Sequence, residues 1–205
     1  MSRTQSSMVQ LGTVAPPFQL TNVLNGKAMT RDDVFALGSN NGSANKYGLL
    51  IMFICVHCPY VKHVEQELAR IGHDYFGKGG NGPIAIAAIQ SNDIHQYPED
   101  GPEHMRGQAT RLGWQFPYLL DQTQEVAHAY EAACTPDFFL FDSAMRLVYR
   151  GQLDSSRPRR GDFGNDEPVT GIDLRAAMDA LIAGKLPDPA QRSSIGCNIK
   201  WRDAI

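Results

Sequence analysis

Cys55 and Cys58 stand in Cys55-Val56-His57-Cys58-Pro59, directly after the apolar run Gly48 to Ile54. A C-x-x-C pair performs thiol–disulfide exchange when one sulfur is held as thiolate. That sulfur attacks a substrate disulfide, and its partner resolves the mixed disulfide. The apolar run reads as a buried strand, and Val61, Val64, Leu68 and Ile71 follow at helical spacing. The pair therefore lies where a strand hands over to a helix. Free N–H groups and the positive end of the helix dipole favour thiolate at such a place. This reading makes Cys55 the attacking thiol and Cys58 the resolving one. His57 lies between them, where it would stabilise the Cys55 thiolate and make the disulfide more oxidising. Two other chemistries use the same residue types. One is packing of thiols as small hydrophobes. The other is a zinc or iron–sulfur site built from Cys55, Cys58, Cys134 and Cys197, although one C-x-x-C plus two isolated cysteines lacks the paired spacing of zinc ribbons.

The chain has 205 residues, enough for one domain with additions and a sizeable core. It is 42% hydrophobic and 20% charged, as soluble globular proteins are. A net charge of -3 gives no basic bias toward nucleic acid, and no apolar run is long enough to span a bilayer. Met1 to Gln10 are polar and lack the apolar stretch of a secretory signal, so the expected compartment is the cytoplasm. Disulfides there are mostly transient and catalytic, and four cysteines are too few for a disulfide scaffold.

The elements that position the dithiol follow from patterning. Residues 1–10 read as a flexible leader. Asn25-Gly26 marks a hairpin over 18–30, and residues 39–48 form a loop rich in Gly, Ser and Asn. Strands are expected at 48–54, 83–89, 116–120, 137–142 and 146–150. Helices are expected at 58–71, 102–112, 124–132 and 172–183, with Pro59 in a first turn where its missing N–H costs little. Residues 91–101 and 152–170 are polar loops. Strands separated by helices imply parallel units, and the late strand pair adds an antiparallel edge, giving an α/β fold with a central mixed sheet flanked by helices. The domain is expected over 9–184, with a C-terminal tail at 185–205.

The strand, the C-x-x-C, the following helix and Thr135-Pro136 before a later strand resemble the thioredoxin fold. The leader Leu11 to Leu20 resembles the alkyl hydroperoxide reductase/thiol-specific antioxidant (redoxin) superfamily. Phe53 to His63, Ser91 to Met105, Ala133 to Phe138 and Ile195 to Trp201 look like its bacterial peroxiredoxin-like members. The resemblance implies a cytosolic thiol–disulfide oxidoreductase without a cofactor. Its implied partners are a thioredoxin- or glutathione-type reductant and disulfide-containing substrates. A thiol-dependent peroxide reductase using Cys58 or Cys55, and a metal-binding or non-catalytic redoxin, are the alternatives. Two departures weaken the peroxide reading. Setting Cys58 on the peroxidatic position puts Cys55 where peroxiredoxins carry Thr or Ser, and Ala133 to Asp137 contain no Arg. Leu49 occupies the position of the buried Asp of thioredoxin.

The same resemblance implies that Pro136 is cis and that Thr135 and Pro136 face the dithiol, with the Thr135 backbone free to pair with an extended substrate. It also brings Cys134 near the dithiol, as a candidate third redox thiol. Cys197 is a candidate exchange thiol in the tail, although packing of the tail with Trp201 against the domain is the preferred reading. His63, His73, His95, His104 and His128 show no metal-ligand spacing and read mostly as surface residues. Arg157-Pro158-Arg159-Arg160 reads as a solvated basic loop, and Trp114 and Phe116 as core.

Overall fold

The computed structural model describes residues 3–38, 46–159 and 164–202. A first strand, β1 (Arg3–Gln5), precedes a hairpin of β2 (Gln19–Asn22) and β3 (Ala28–Thr30), followed by α1 (Arg31–Ala36). The chain continues through β4 (Gly48–Phe53), α2 (Pro59–Ile71), β5 (Ile84–Gln90), α3 (Pro102–Leu112), β6 (Tyr118–Leu120) and α4 (Glu125–Ala129). It ends with β7 (Cys134–Thr135), β8 (Asp137–Asp142), β9 (Leu147–Gly151), α5 (Ile172–Ile182) and β10 (Ile195–Asn198). Seven strands form one sheet in the order β3-β2-β6-β5-β4-β8-β9. The β4–β5 and β5–β6 pairs are parallel and the flanking pairs antiparallel, which is the expected mixed sheet.

Every residue of β4 is buried, because helices cover both faces of the sheet. Its side chains alternate between two cores. Leu50 and Met52 join Val61 and Leu68 of α2, Met105 of α3 and Leu174 and Met178 of α5. Leu49, Ile51 and Phe53 join Val34 of α1, Val126 of α4 and Phe139 of β8. Each fully buried aliphatic or aromatic side chain contributes roughly 1.5–3 kcal/mol, so this two-sided burial fixes the strand that carries the dithiol. Leu49 faces the second core, whereas Met52, Cys55 and Cys58 belong to the first.

A strand stands where a flexible leader was expected, and the expected tail packs against the domain, as its preferred reading has it, but in the form of a strand. Arg3–Gln5, expected in a flexible leader, pair with β10, and β10 pairs with β7, making a separate three-stranded antiparallel sheet β1-β10-β7. The expected tail thus holds a strand at the centre of that sheet, and Trp201 stacks on His128 with ring centroids 4.1 Å apart. Single short strands of this kind carry too few residues for period-two alternation to mark them. The helix expected at 124–132 shortens to Glu125–Ala129. Trp114 and Phe116 stack in the core. Most of the loop expected at 39–48 lies outside the described residues, as does Arg160 of the basic cluster.

Candidate active site

Cys55 follows β4 after Ile54, whose N–H continues the ladder to the Ile89 carbonyl at 3.0 Å. Cys58 is the N-cap of α2 (φ -64, ψ 124), and Pro59 occupies the first turn. Both sulfurs converge on Thr135. The Cys55 sulfur lies 3.3 Å from Thr135 Oγ1, and the Cys58 thiol donates to the Thr135 carbonyl at 3.2 Å. The Thr135–Pro136 peptide is cis. Cys55 and Cys58 are 1% and 0% exposed, and none of the four cysteines is in a disulfide.

The two thiols stand in different electrostatic surroundings. Because α2 starts at Pro59, the free N–H groups of its first turn face Cys58, while Cys55 lies upstream of the cap. Burial opposes ionisation of Cys58. Hydrogen bonds from Cys197 and Cys55, the Val61 N–H and Thr135 outweigh it, and hold the Cys58 thiol far below its ordinary range. Burial pushes Cys55 well above that range. Its hydrogen bond to Cys58 and the negative charge of Asp100 push the same way. On ionising, Cys58 gives up the bond it donates to Thr135 and accepts from the other two thiols.

His57 is held by Asp100, a residue that patterning did not single out. The His57 Nδ1 to Asp100 Oδ2 distance is 2.6 Å, and the imidazole stacks on Tyr97 with centroids 5.5 Å apart. Asp100 Oδ1 accepts from the backbone N–H of Val56 at 2.8 Å and of His57 at 3.0 Å, and Asn92 Nδ2 donates to Oδ2 at 2.8 Å. One carboxylate therefore fixes both inner residues of the C-x-x-C turn. The hydrogen bond to Asp100 is the main cause that raises the His57 pKa. Burial alone would raise Asp100, but the His57 and Asn92 hydrogen bonds turn the shift downward. Each shift favours the charged form of its group. A ring nitrogen of His57 lies within 4.8 Å of the Cys55 sulfur, and the negative charge of a Cys58 thiolate also raises the His57 pKa.

The remaining candidates divide. Cys197 stands opposite Thr135 in the β10–β7 register and reaches the Cys58 sulfur. Cys134 instead donates to the Pro136 carbonyl at 3.6 Å, and burial raises its pKa, as suits a packing residue. The four cysteines do not assemble as a ligand set among the described residues. The donor atoms that do lie within 4.8 Å of one another belong to Cys55, His57 and Asp100. His63 is half-buried against Ser156, and His73, His95, His104 and His128 are exposed. Arg157 turns inward to the carbonyls of Asp154 and Ser156, and Arg159 pairs with Asp166. Among the described residues, no helix is long and apolar enough to cross a membrane.

Residues 11–150 match the profile of the AhpC/TSA family. The crystal structure of an uncharacterized conserved protein from Geobacillus kaustophilus is 50% identical, covers 100% of this chain and 99% of that one, and superposes with a TM-score of 0.87. A hypothetical protein from Sinorhizobium meliloti 1021 is 43% identical over 98% of this chain and 100% of its own, with a TM-score of 0.86. The thioredoxin domain of a thiol-disulfide oxidoreductase from Bacteroides vulgatus is 18% identical, covers 69% of this chain and 88% of its own, and has a TM-score of 0.50. That likeness is one of fold, and it makes the architecture thioredoxin-like. No curated protein matches the chain.

Proposed function

Because this chain belongs to the AhpC/TSA family of redoxins, we propose that it is a thiol–disulfide oxidoreductase whose Cys55–Cys58 dithiol exchanges disulfides with protein or small-thiol partners. The observation that carries the reading is the convergence of both sulfurs on Thr135, with Cys58 at the cap of α2. The Cys58 thiolate attacks one sulfur of a substrate disulfide, the S–S bond breaks, and the other sulfur leaves as a thiol after taking a proton. Cys55 then attacks the Cys58 sulfur of the mixed disulfide and passes its own proton to the thiolate it expels. The products are the Cys55–Cys58 disulfide and a substrate reduced by two electrons. A thioredoxin- or glutathione-type reductant in the cytoplasm restores the dithiol. His57, held by Asp100, favours a thiolate in the dithiol, which stabilises the reduced form and makes the couple more oxidising.

Peroxide reduction is the weaker reading. Among the described residues, the groups whose hydrogen bonds lower the Cys58 pKa are Cys197, Cys55, the Val61 N–H and Thr135, and none of these is a guanidinium that would hold a peroxide oxygen. The experiment is alkylation at graded pH with peptide mapping, run beside thioredoxin-coupled assays on a protein disulfide and on hydrogen peroxide. Cys58 should be alkylated below pH 7 and Cys55 only at higher pH, with turnover on the disulfide exceeding that on peroxide. First reaction at Cys55 would return the roles to their expected order. Peroxide turnover above disulfide turnover would make the protein a peroxidase.

A further inference from the structure

An extended substrate bound beside the dithiol would add to the edge of β7, where the Thr135 backbone faces both sulfurs. That edge is already taken. Strand β10 runs antiparallel to β7, with Cys197 opposite Thr135 and Asn198 opposite Cys134. The approach is tight: a Cβ at Gly196 would stand 2.0 Å from the Thr135 carbonyl oxygen, so only glycine lets the strands close to this distance. β10 also packs on α2, and Cys197 is 2% exposed in the same core cluster as Cys55 and Cys58. On its other side β1 pairs with it, and the Ser194 hydroxyl donates to the Gly151 carbonyl at 2.5 Å. The strand thus brings a thiol to the Cys58 sulfur, to which the Cys197 side chain hydrogen-bonds.

We infer that Cys197 is a third thiol of the reaction, and that β10 serves as a built-in substrate strand whose thiol replaces Cys55 in the disulfide with Cys58. The inference rests on the dithiol reading above and extends it. In the oxidised protein, Cys197, deprotonated, attacks the Cys58 sulfur. The Cys55–Cys58 bond breaks, the Cys58–Cys197 bond forms, and Cys55 leaves as thiolate and takes up the proton. No electrons enter or leave. The same attack resolves a mixed disulfide between Cys58 and an external thiol, which departs reduced. The disulfide then rests on a strand of the second sheet, and Cys55 is restored. External cysteine-bearing chains reach Cys58 by displacing β10 from the edge of β7.

The test uses the full chain with glutathione disulfide as oxidant, followed by alkylation under denaturing conditions and disulfide mapping by mass spectrometry. Cys55→Ser should first carry glutathione on Cys58 and then convert to a Cys58–Cys197 disulfide. Cys55→Ser combined with Cys197→Ser should keep the glutathione adduct at least tenfold longer. Persistence of the adduct in Cys55→Ser, with Cys197 fully alkylated, would overturn the relay and leave the Cys55–Cys58 exchange standing. A wild-type protein that forms no Cys55–Cys58 disulfide would sink the dithiol reading itself. Should Cys55→Ser lose its fold by circular dichroism, the wild-type protein in graded glutathione buffers decides the matter. A Cys58–Cys197 peptide beside the Cys55–Cys58 peptide supports the relay, and its absence at every ratio refutes it.

Discussion

Asp100 and Asp137 lie on either side of the dithiol, one supporting its turn and the other following Pro136, and both are 0% exposed. Asp100 collects donors from Val56, His57 and Asn92, one of them an imidazolium, and stays ionised. Asp137 receives only two long bonds, from the backbone N–H of Ala133 at 3.4 Å and of Phe138 at 3.2 Å. Burial outweighs them and pushes its pKa up to about 8. Neither carboxyl is exposed to solvent, so exposure alone does not decide their charge. The number of donors, and whether one is a cation, does. One carboxyl is therefore held ionised by its donors, and the other is a buried neutral acid.

The largest break of this contrast is Asp100→Ala. It strands the His57 cation and leaves the Val56 and His57 N–H groups without their acceptor, and loss of one partner of a buried pair costs about 3–5 kcal/mol. Urea unfolding at pH 7 reads it, and a loss below about 1 kcal/mol would mean that no buried pair exists. The pH dependence has two arms. Asp100 is lowered on folding, so its contribution is present above its ordinary 3.8 and is lost as pH falls through the lower folded value. His57 is raised on folding, so its contribution is present below 6.5 and is lost as pH rises through the folded value.

Asp137→Asn tests the other side and should act in the opposite direction. The amide resembles the protonated acid that the folded protein holds at pH 7, whereas the unfolded wild type is ionised there and must take up a proton to fold, so the variant should be more stable at pH 7, by up to about 4 kcal/mol. Asp137 is raised on folding. Its contribution is present below 3.8 and is lost as pH rises through about 8. The variant should therefore lose less stability than the wild type between pH 6 and pH 9. A steeper fall in the variant would show that Asp137 is ionised in the folded protein, and the contrast with Asp100 would collapse.

Only part of this arrangement could be read from residue order. β4 and α2 were readable because long apolar runs and helical spacing record burial directly, and they placed Cys55 and Cys58 at the switch between strand and helix. Thr135 and Pro136 were found through family resemblance, since nothing in their local spacing ties them to residues 80 positions away. Asp100 sits in the polar stretch Ser91 to Gly101, where a buried carboxylate and a solvated one look the same until the partners are known. The helix start itself, one residue after the expected 58, is finer than periodicity resolves. β1 and β10 are three and four residues long and gain their stability from each other and from β7, so their pairing is a property of the tertiary structure.

The smallest effect should come from His57→Gln, which keeps a side-chain donor near Asp100 but removes the charge of the imidazolium. If the charge of the pair reaches the sulfur, the Cys58 thiolate loses stabilisation while the Cys55–Cys58 disulfide does not. An increase of about one unit in the Cys58 pKa corresponds to about 1.4 kcal/mol. For a two-electron couple this shifts the potential by about 30 mV toward more reducing values. Alkylation rate against pH gives the first quantity, and equilibration in glutathione buffers gives the second. The Val61 N–H and the Cys55 and Cys197 thiols remain in the variant, so most of the lowering at Cys58 should survive. If neither quantity moves, the helix cap and the neighbouring thiols alone hold Cys58 ionised. Asp100 would then support the shape of the turn without contributing to its charge, and would differ from Asp137 in stability alone.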